Sequence, residues 1–122
     1  MDYGSARVGL ARGGSAARLA ERLKTVPATE AIEAIAELSA RNQAAGIVVG
    51  LPRGLEGQET QQTRLVRQWV AAAKEHIELP FYWQDEALTS AAAAKADDVD
   101  AAAAALILQD FLDTPEDQRV RC

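Results

Sequence analysis

The chain has 122 residues, room for one domain at roughly 100–200 residues per core. Its net charge of −5 argues against a strong non-specific nucleic-acid binder, because such proteins gain affinity by neutralising phosphates with clustered Lys and Arg. One Cys and one His exclude a disulfide framework and any zinc site built from several such ligands, and they favour a reducing, cytosolic setting.

The hydrophobic fraction is 48%, but 26 of those residues are alanine, so the predicted core is broad and thin. Only six aromatics are present: Tyr3, Trp69, Phe81, Tyr82, Trp83 and Phe111. The run from Phe81 to Trp83 is therefore expected to carry much of the packing. No segment reaches the roughly 18–20 apolar residues of a membrane span, and no signal-peptide core is visible, so a cytoplasmic protein away from the membrane is expected. Charge is uneven: residues 1–24 hold five basic side chains against two acidic ones, and residues 84–122 hold three against nine. This asymmetry permits a local phosphate-facing patch, ordinary solvated faces being the alternative.

In chain order, the turn-prone Gly4-Ser5 separates two short predicted strands, Met1–Gly4 and Arg7–Ala11. Residues 12–18 read as a loop, and Arg22–Val26 as a third strand ended by Pro27. Thr29 is the expected N-cap of a helix from about Glu30 to Gln43 with Ile32, Ile35 and Ala36 on one face. Ile47-Val48-Val49 is a wholly apolar, β-branched run, the pattern of a strand buried on both faces, and Gly50-Leu51-Pro52 reads as its exit turn. A second helix is predicted over Gln61–His76, with Val66, Trp69, Val70 and Ala73 at helical spacing. Pro80–Asp85 reads as the next strand.

A last helix follows the DDVD run, Asp97–Asp100. Helical capping accounts for Asp97 and Asp98. Asp100 differs, because helical steps from it reach Ala104, Ile107, Leu108 and Phe111, the apolar stripe that must face the sheet. A carboxylate on that side is costly unless paired, hydrogen-bonded or bound to a metal. The order β-β-β-α-β-α-β-α predicts an α/β fold with a mixed five-stranded sheet, three antiparallel strands followed by parallel βα units. One domain over residues 1–113 is expected, with a polar tail over 114–122.

Three acids stand out by position: Asp2 on the first strand, Glu86 just after the last, and Asp100 at the start of the last helix. Sites in α/β sheets collect at the carboxyl ends of strands, and carboxylate clusters hold hard cations such as Mg²⁺ or Mn²⁺ for phosphodiester chemistry. Asp85 beside Glu86 either orients it or faces solvent. His76 at a helix end is read as a dipole partner rather than a catalytic group, and Cys122 as an exposed thiol.

Four ordered segments carry a more specific signal: Met1-Asp2-Tyr3-Gly4-Ser5-Ala6-Arg7-Val8-Gly9-Leu10-Ala11, Val48–Pro52, Asp85–Ser90, and Val99-Asp100-Ala101 through Leu106-Ile107-Leu108-Gln109. This series resembles the YqgF/RuvX family, nucleases assigned to the 5′ end of pre-16S rRNA, whose RNase H-like fold is shared with RuvC-type Holliday-junction resolvases. The resemblance spans Asp2 to about Asp113. It implies that Asp2, Glu86 and Asp100 are the catalytic, Mg²⁺- or Mn²⁺-holding acids, and that the partner is pre-rRNA or a ribosomal precursor particle. The chain departs from the family pattern in Ala6 and Ala87, where relatives carry Lys and Arg, and in the short stretch between Ser90 and Asp98, where relatives carry a longer basic segment. The basic residues left for phosphate contact are Arg7, Arg12, Arg53, Arg64 and Lys95.

Two other classes fit the same residues. One is a resolvase-like endonuclease on branched DNA, which calls for a dimer where the rRNA reading is met by a monomer or weak homodimer. The other is a binding module that keeps the fold without cleavage. Asp2-Tyr3-Gly4-Ser5 also resembles the first phosphate loop of the sugar-kinase and actin superfamily, which the length excludes because those enzymes need two large domains.

Overall fold

The computed structural model describes residues 1–3, 7–14, 19–52, 56–85 and 99–122, for Val99 and Asp100 the backbone alone. The strands are β1 (Asp2–Tyr3), β2 (Arg7–Gly14), β3 (Leu19–Pro27), β4 (Ile47–Leu51), β5 (Phe81–Asp85) and β6 (Val120–Arg121). The helices are α1 (Ala31–Arg41), α2 (Gln61–Ala73) and α3 (Val99–Asp113). The predicted order is thus observed, with one strand added at the end.

The strands form two three-stranded sheets. In the first, β1, β2 and β3 are antiparallel neighbours, and the β2/β3 ladder runs from Arg7↔Pro27 to Gly14↔Leu19 with a register shift between Leu10 and Ala11. In the second, β4 and β5 are parallel from Ile47↔Phe81 to Leu51↔Asp85, and β6 joins β5 antiparallel. The ladders therefore divide into two sets of three where sequence pattern predicts one set of five. Among the described residues the sets meet at Met1: its nitrogen donates to the carbonyl of Val48, and Gly50 N donates to the carbonyl of Met1 at 3.0 Å. Bonds to both neighbours of one residue are the pattern of parallel pairing, here of Met1 beside Val49.

Alternation along the strands sorts side chains into two layers. Met1, Val8, Leu10, Val49 and Phe81 pack with Ile35 of α1 and with Val66 and Val70 of α2. Val48 and Tyr82 pack instead with Ile107 and Phe111 of α3, and the rings of Tyr82 and Phe111 lie 5.3 Å apart. All five residues of β4 are buried, as a strand covered on both faces requires. The buried stripe of α3 includes Ala101, Ala104, Ile107 and Phe111. Its first turns thus meet the sheet through alanine, whose short side chain allows close approach.

Several local expectations change. Arg12–Gly14 belongs to β2 rather than to a loop, and Gly50 and Leu51 belong to β4 rather than to a turn. Thr29 does not cap α1: a single 3₁₀ turn, Ala28–Glu30, leads into the helix without a side-chain cap, and Ala36 is exposed while Ala31 and Ile35 are buried. Within residues 114–122, β6 is held by Arg119, whose guanidinium lies 4.4 Å from the centre of the Phe111 ring and donates to the Thr114 carbonyl. No helix among the described residues is long and apolar enough to cross a membrane.

Near the end of β2, α3 crosses directly above Gly13. A methyl group there would sit 2.9 Å from Leu112 Cδ1, 3.1 Å from Leu108 Cδ2 and 3.0 Å from the Leu19 carbonyl oxygen, whereas one at Gly14 would meet nothing within 4 Å. The leucines have rotamers to give, but the carbonyl belongs to the ladder. Gly13→Ala is therefore expected to cost about 1–3 kcal/mol by overpacking and Gly14→Ala less than about 0.5 kcal/mol, a contrast that urea unfolding of the two variants measures.

Candidate functional site

Asp2 lies on a strand of only two residues, so its placement depends on neighbours. Asp2 is opposite Gly9 on β2, and Tyr3 is opposite Val8. Met1 and Tyr3 both belong to the packing layer of α1 and α2, so alternation directs the half-buried Asp2 side chain to the α3 face. Gly9 lies between Val8 and Leu10, and Gly50 follows Val49; those three apolar neighbours belong to the α1/α2 layer. Both glycines therefore occupy α3-face positions. Asp2 is flanked by strand positions that carry no side chain, and both of those glycines are buried.

The first turn of α2 fastens this region. Thr60 caps the helix: its hydroxyl accepts from Thr63 N at 3.3 Å, while Thr63 Oγ1 accepts from Thr60 N at 3.0 Å. The Thr63 hydroxyl also donates to the carbonyl of Pro52, just past β4. Gln62 Nε2 donates to the carbonyl of Tyr3 at 3.4 Å, and the Tyr3 ring lies 5.2 Å from that of Trp69 on α2. The carbonyls on either side of Asp2 are thus held, one by Gly50 N and one by Gln62.

Asp85 ends β5 opposite Leu51 and is exposed. Glu86, the next residue, lies outside the described residues, as does the side chain of Asp100, whose backbone forms the second position of α3. No group of three metal-ligating side chains occurs among the described residues. The described donor has the right chemistry for Mg²⁺ or Mn²⁺: a hard carboxylate oxygen on a half-buried strand with glycine on both sides.

Among the basic residues, exposed Arg7 shares the parity of Gly9 and so the face of Asp2. Arg12 does not serve this end of the sheet: it pairs with Glu21 at 3.2 Å and donates to Asn42 at 2.8 Å. Arg64 is exposed on α2, and Arg53 and Lys95 lie outside the described residues. A cavity of about 380 Å³ opens at the Arg12 end, lined by Met1, Leu10, Gly14, Leu38, Ile47 and Leu108 among others. It is separate from the Asp2 carboxylate.

Residues 1–114 match the family model described as "RuvX: Holliday junction resolvase". The chain belongs to the RuvX (YqgF) family. Its relatives include a "Putative pre-16S rRNA nuclease" of Rickettsia canadensis, 32% identical over 93% of this chain and 84% of the relative. Proteins of the same name from Roseiflexus sp. and Oleidesulfovibrio alaskensis are 34% and 35% identical, covering 93% and 98% of this chain and 92% and 94% of theirs.

Sequence reasoning overlooked Thr63 and Gln62 in this RuvX-family chain. The available signal was Thr-x-x-Thr directly before a helical apolar pattern, a capping arrangement. The expectation of an exposed Cys122 fails: the residue is half-buried, its amide donates to the Phe81 carbonyl at 2.9 Å, and its carbonyl accepts from Lys74 Nζ at 3.2 Å. Burial pushes its thiol up from 9.0 to about 11, against the opposing pull of Lys74 and Arg67.

A raised folded-state pKa means that the fold prefers the protonated thiol. That contribution to stability is present below about pH 9 and is lost as pH rises through about 11. At pH 8, native Cys122 is expected to react with iodoacetamide about 10- to 100-fold more slowly than the urea-unfolded chain, because thiolate is the reactive form. Mass spectrometry over time measures the ratio.

Proposed function

We propose that this chain is a divalent-metal-dependent endonuclease that acts at the 5′ end of pre-16S rRNA in the cytoplasm, with Asp2, Glu86 and Asp100 as the metal-holding carboxylates. Membership of the RuvX family and the names of the relatives support the substrate class. The observation that carries the site is the position of Asp2: half-buried on the α3 face, between Gly9 and Gly50. The paired bonds of Met1 to Val48 and Gly50 support reading the two ladders as one RNase H-like mixed sheet in the order β3-β2-β1-β4-β5, with β6 at its edge.

When bound, Mg²⁺ or Mn²⁺ supplies Lewis-acid stabilisation of the charge that develops on a phosphodiester. The chain's own residues supply geometry. Asp2 offers its carboxylate from a strand on which the carbonyls of the preceding and following residues, Met1 and Tyr3, are both held. Arg7 stands on the same face as a cation for a neighbouring phosphate. Asp100 lies in the first turn of α3, an element packed against the sheet through Ile107 and Phe111. The domain assigned to this work is residues 1–113.

The family description favours a second reading, cleavage of branched DNA by a dimer. Mn²⁺-dependent cleavage of a pre-16S rRNA 5′ fragment and of a four-way DNA junction separates the two, using the wild type, Asp2→Asn and Asp100→Asn. Cutting of the RNA is expected, with each variant slower by about 100-fold or more, since the contribution at stake is several kcal/mol of transition-state charge stabilisation. Cleavage of the junction alone would establish the second reading. Activity on neither substrate, or equal activity in all three proteins, overturns the assignment.

A further inference from the structure

Thr63 is the only polar residue among the described ones that is fully buried, and its hydrogen bonds go to Pro52 and Thr60 rather than to Asp2. Its hydroxyl is saturated, donating to the Pro52 carbonyl, accepting from Thr60 N and lying 3.2 Å from the Thr60 hydroxyl. Pro52 directly follows β4, whose Gly50 amide holds the Met1 carbonyl next to Asp2. From the same helical turn, Gln62 holds the Tyr3 carbonyl on the other side of Asp2. Hydrogen bonds and the short backbone from Gly50 to Pro52 therefore link the start of α2 to the carbonyls of Met1 and Tyr3, the residues before and after Asp2.

We propose that Thr63 is a positioning residue for Asp2: by tying the first turn of α2 to the end of β4, it fixes β1 against β4 and holds the Asp2 carboxylate on the α3 face. The chemical consequence rests on the reading of Asp2 as a metal-holding acid. A two-residue strand has too few ladder bonds of its own to fix a carboxylate to the tolerance that metal ligation requires, so the fixation must come from the element packed against it. Burial of Thr63 strengthens this tie, since its hydroxyl has no access to replacement water.

The test combines Thr63→Val, which keeps shape and removes the hydroxyl, Thr63→Ser, which restores it, and Thr60→Ala, which removes the Thr60 hydroxyl cap but leaves the tie to Pro52. The readouts are hydrogen exchange of the Gly50 amide, Mn²⁺ affinity by calorimetry, and kcat and KM on the rRNA fragment. Thr63→Val is expected to speed Gly50 exchange about tenfold, weaken Mn²⁺ binding about tenfold and lower kcat with KM unchanged, the scale of outer-shell substitutions at metal sites. Thr63→Ser and Thr60→Ala are expected to stay within about twofold of wild type in Mn²⁺ affinity and Gly50 exchange.

Wild-type values in Thr63→Val overturn the proposal, as does a Thr60→Ala variant that reproduces Thr63→Val, because a capping role alone then suffices. Should Thr63→Val not fold, native-state exchange of the wild type decides: the amides of Gly50 and Thr60 are expected to open together, and opening of Thr60 without Gly50 overturns the tie. A wild type that neither binds Mn²⁺ nor cuts RNA overturns the metal role of Asp2 and its positioning, while Gly50 exchange reports separately whether the anchor exists.

Discussion

Among the described residues, two hydrogen bonds at Met1 join the two sets of ladders. The β2/β3 hairpin and the β4/β5 pair each have their own ladders, but their contact along the sheet direction passes through the carbonyl and nitrogen of one residue. The neutral bond from Gly50 N contributes only about 0.5–1.5 kcal/mol net, and the one from the charged Met1 nitrogen about 1.5–3 kcal/mol. The bonds lie where Met1 is buried, however, and an unmade bond there costs more than a made one contributes. Their larger effect is on register. A slip of one residue in β1 would turn Asp2 toward the α1/α2 layer and Tyr3 toward α3.

This register explains why the glycines fall where they do. Gly9 and Gly50 belong to different strands and to different stretches of sequence, yet both stand next to Asp2 on one face. The opposite face has the opposite design: Val8, Leu10 and Val49 supply bulk to pack on α1 and α2. One face of the sheet thus packs on α1 and α2, and the other packs on α3 and carries Asp2 between two glycines.

Much of this was legible in the sequence because it follows from periodicity. Ile47-Val48-Val49 announces a strand covered on both faces, and the helical steps from Asp100 to Ala104, Ile107 and Phe111 trace the stripe that the fold buries. What was not legible rests on backbone pairing or on partners distant in sequence. Arg12–Gly14 extends a strand although its side chains are polar or absent, because a hairpin ladder needs only main-chain groups. The two-residue β6 has no periodicity to show, and it is held by Arg119 on Phe111 and by the Cys122 amide on Phe81. Thr63 reads as a neutral helix residue until the Pro52 carbonyl is found above it. For the site, Asp2 is placed on its expected strand with the face now defined, whereas Glu86 and the Asp100 side chain lie outside the described residues.

The contact between Tyr3 and Trp69, at 5.2 Å between tilted rings, has an optical consequence. A phenol that close to an indole passes its excitation to it, so docking of the first strand is written into the ultraviolet emission of the protein. The other indole, Trp83, lies beneath the guanidinium of Arg67 at 5.3 Å, a different electrostatic setting. A fold with so few aromatic rings therefore carries, at the residue next to Asp2, its own gauge of whether that strand is seated.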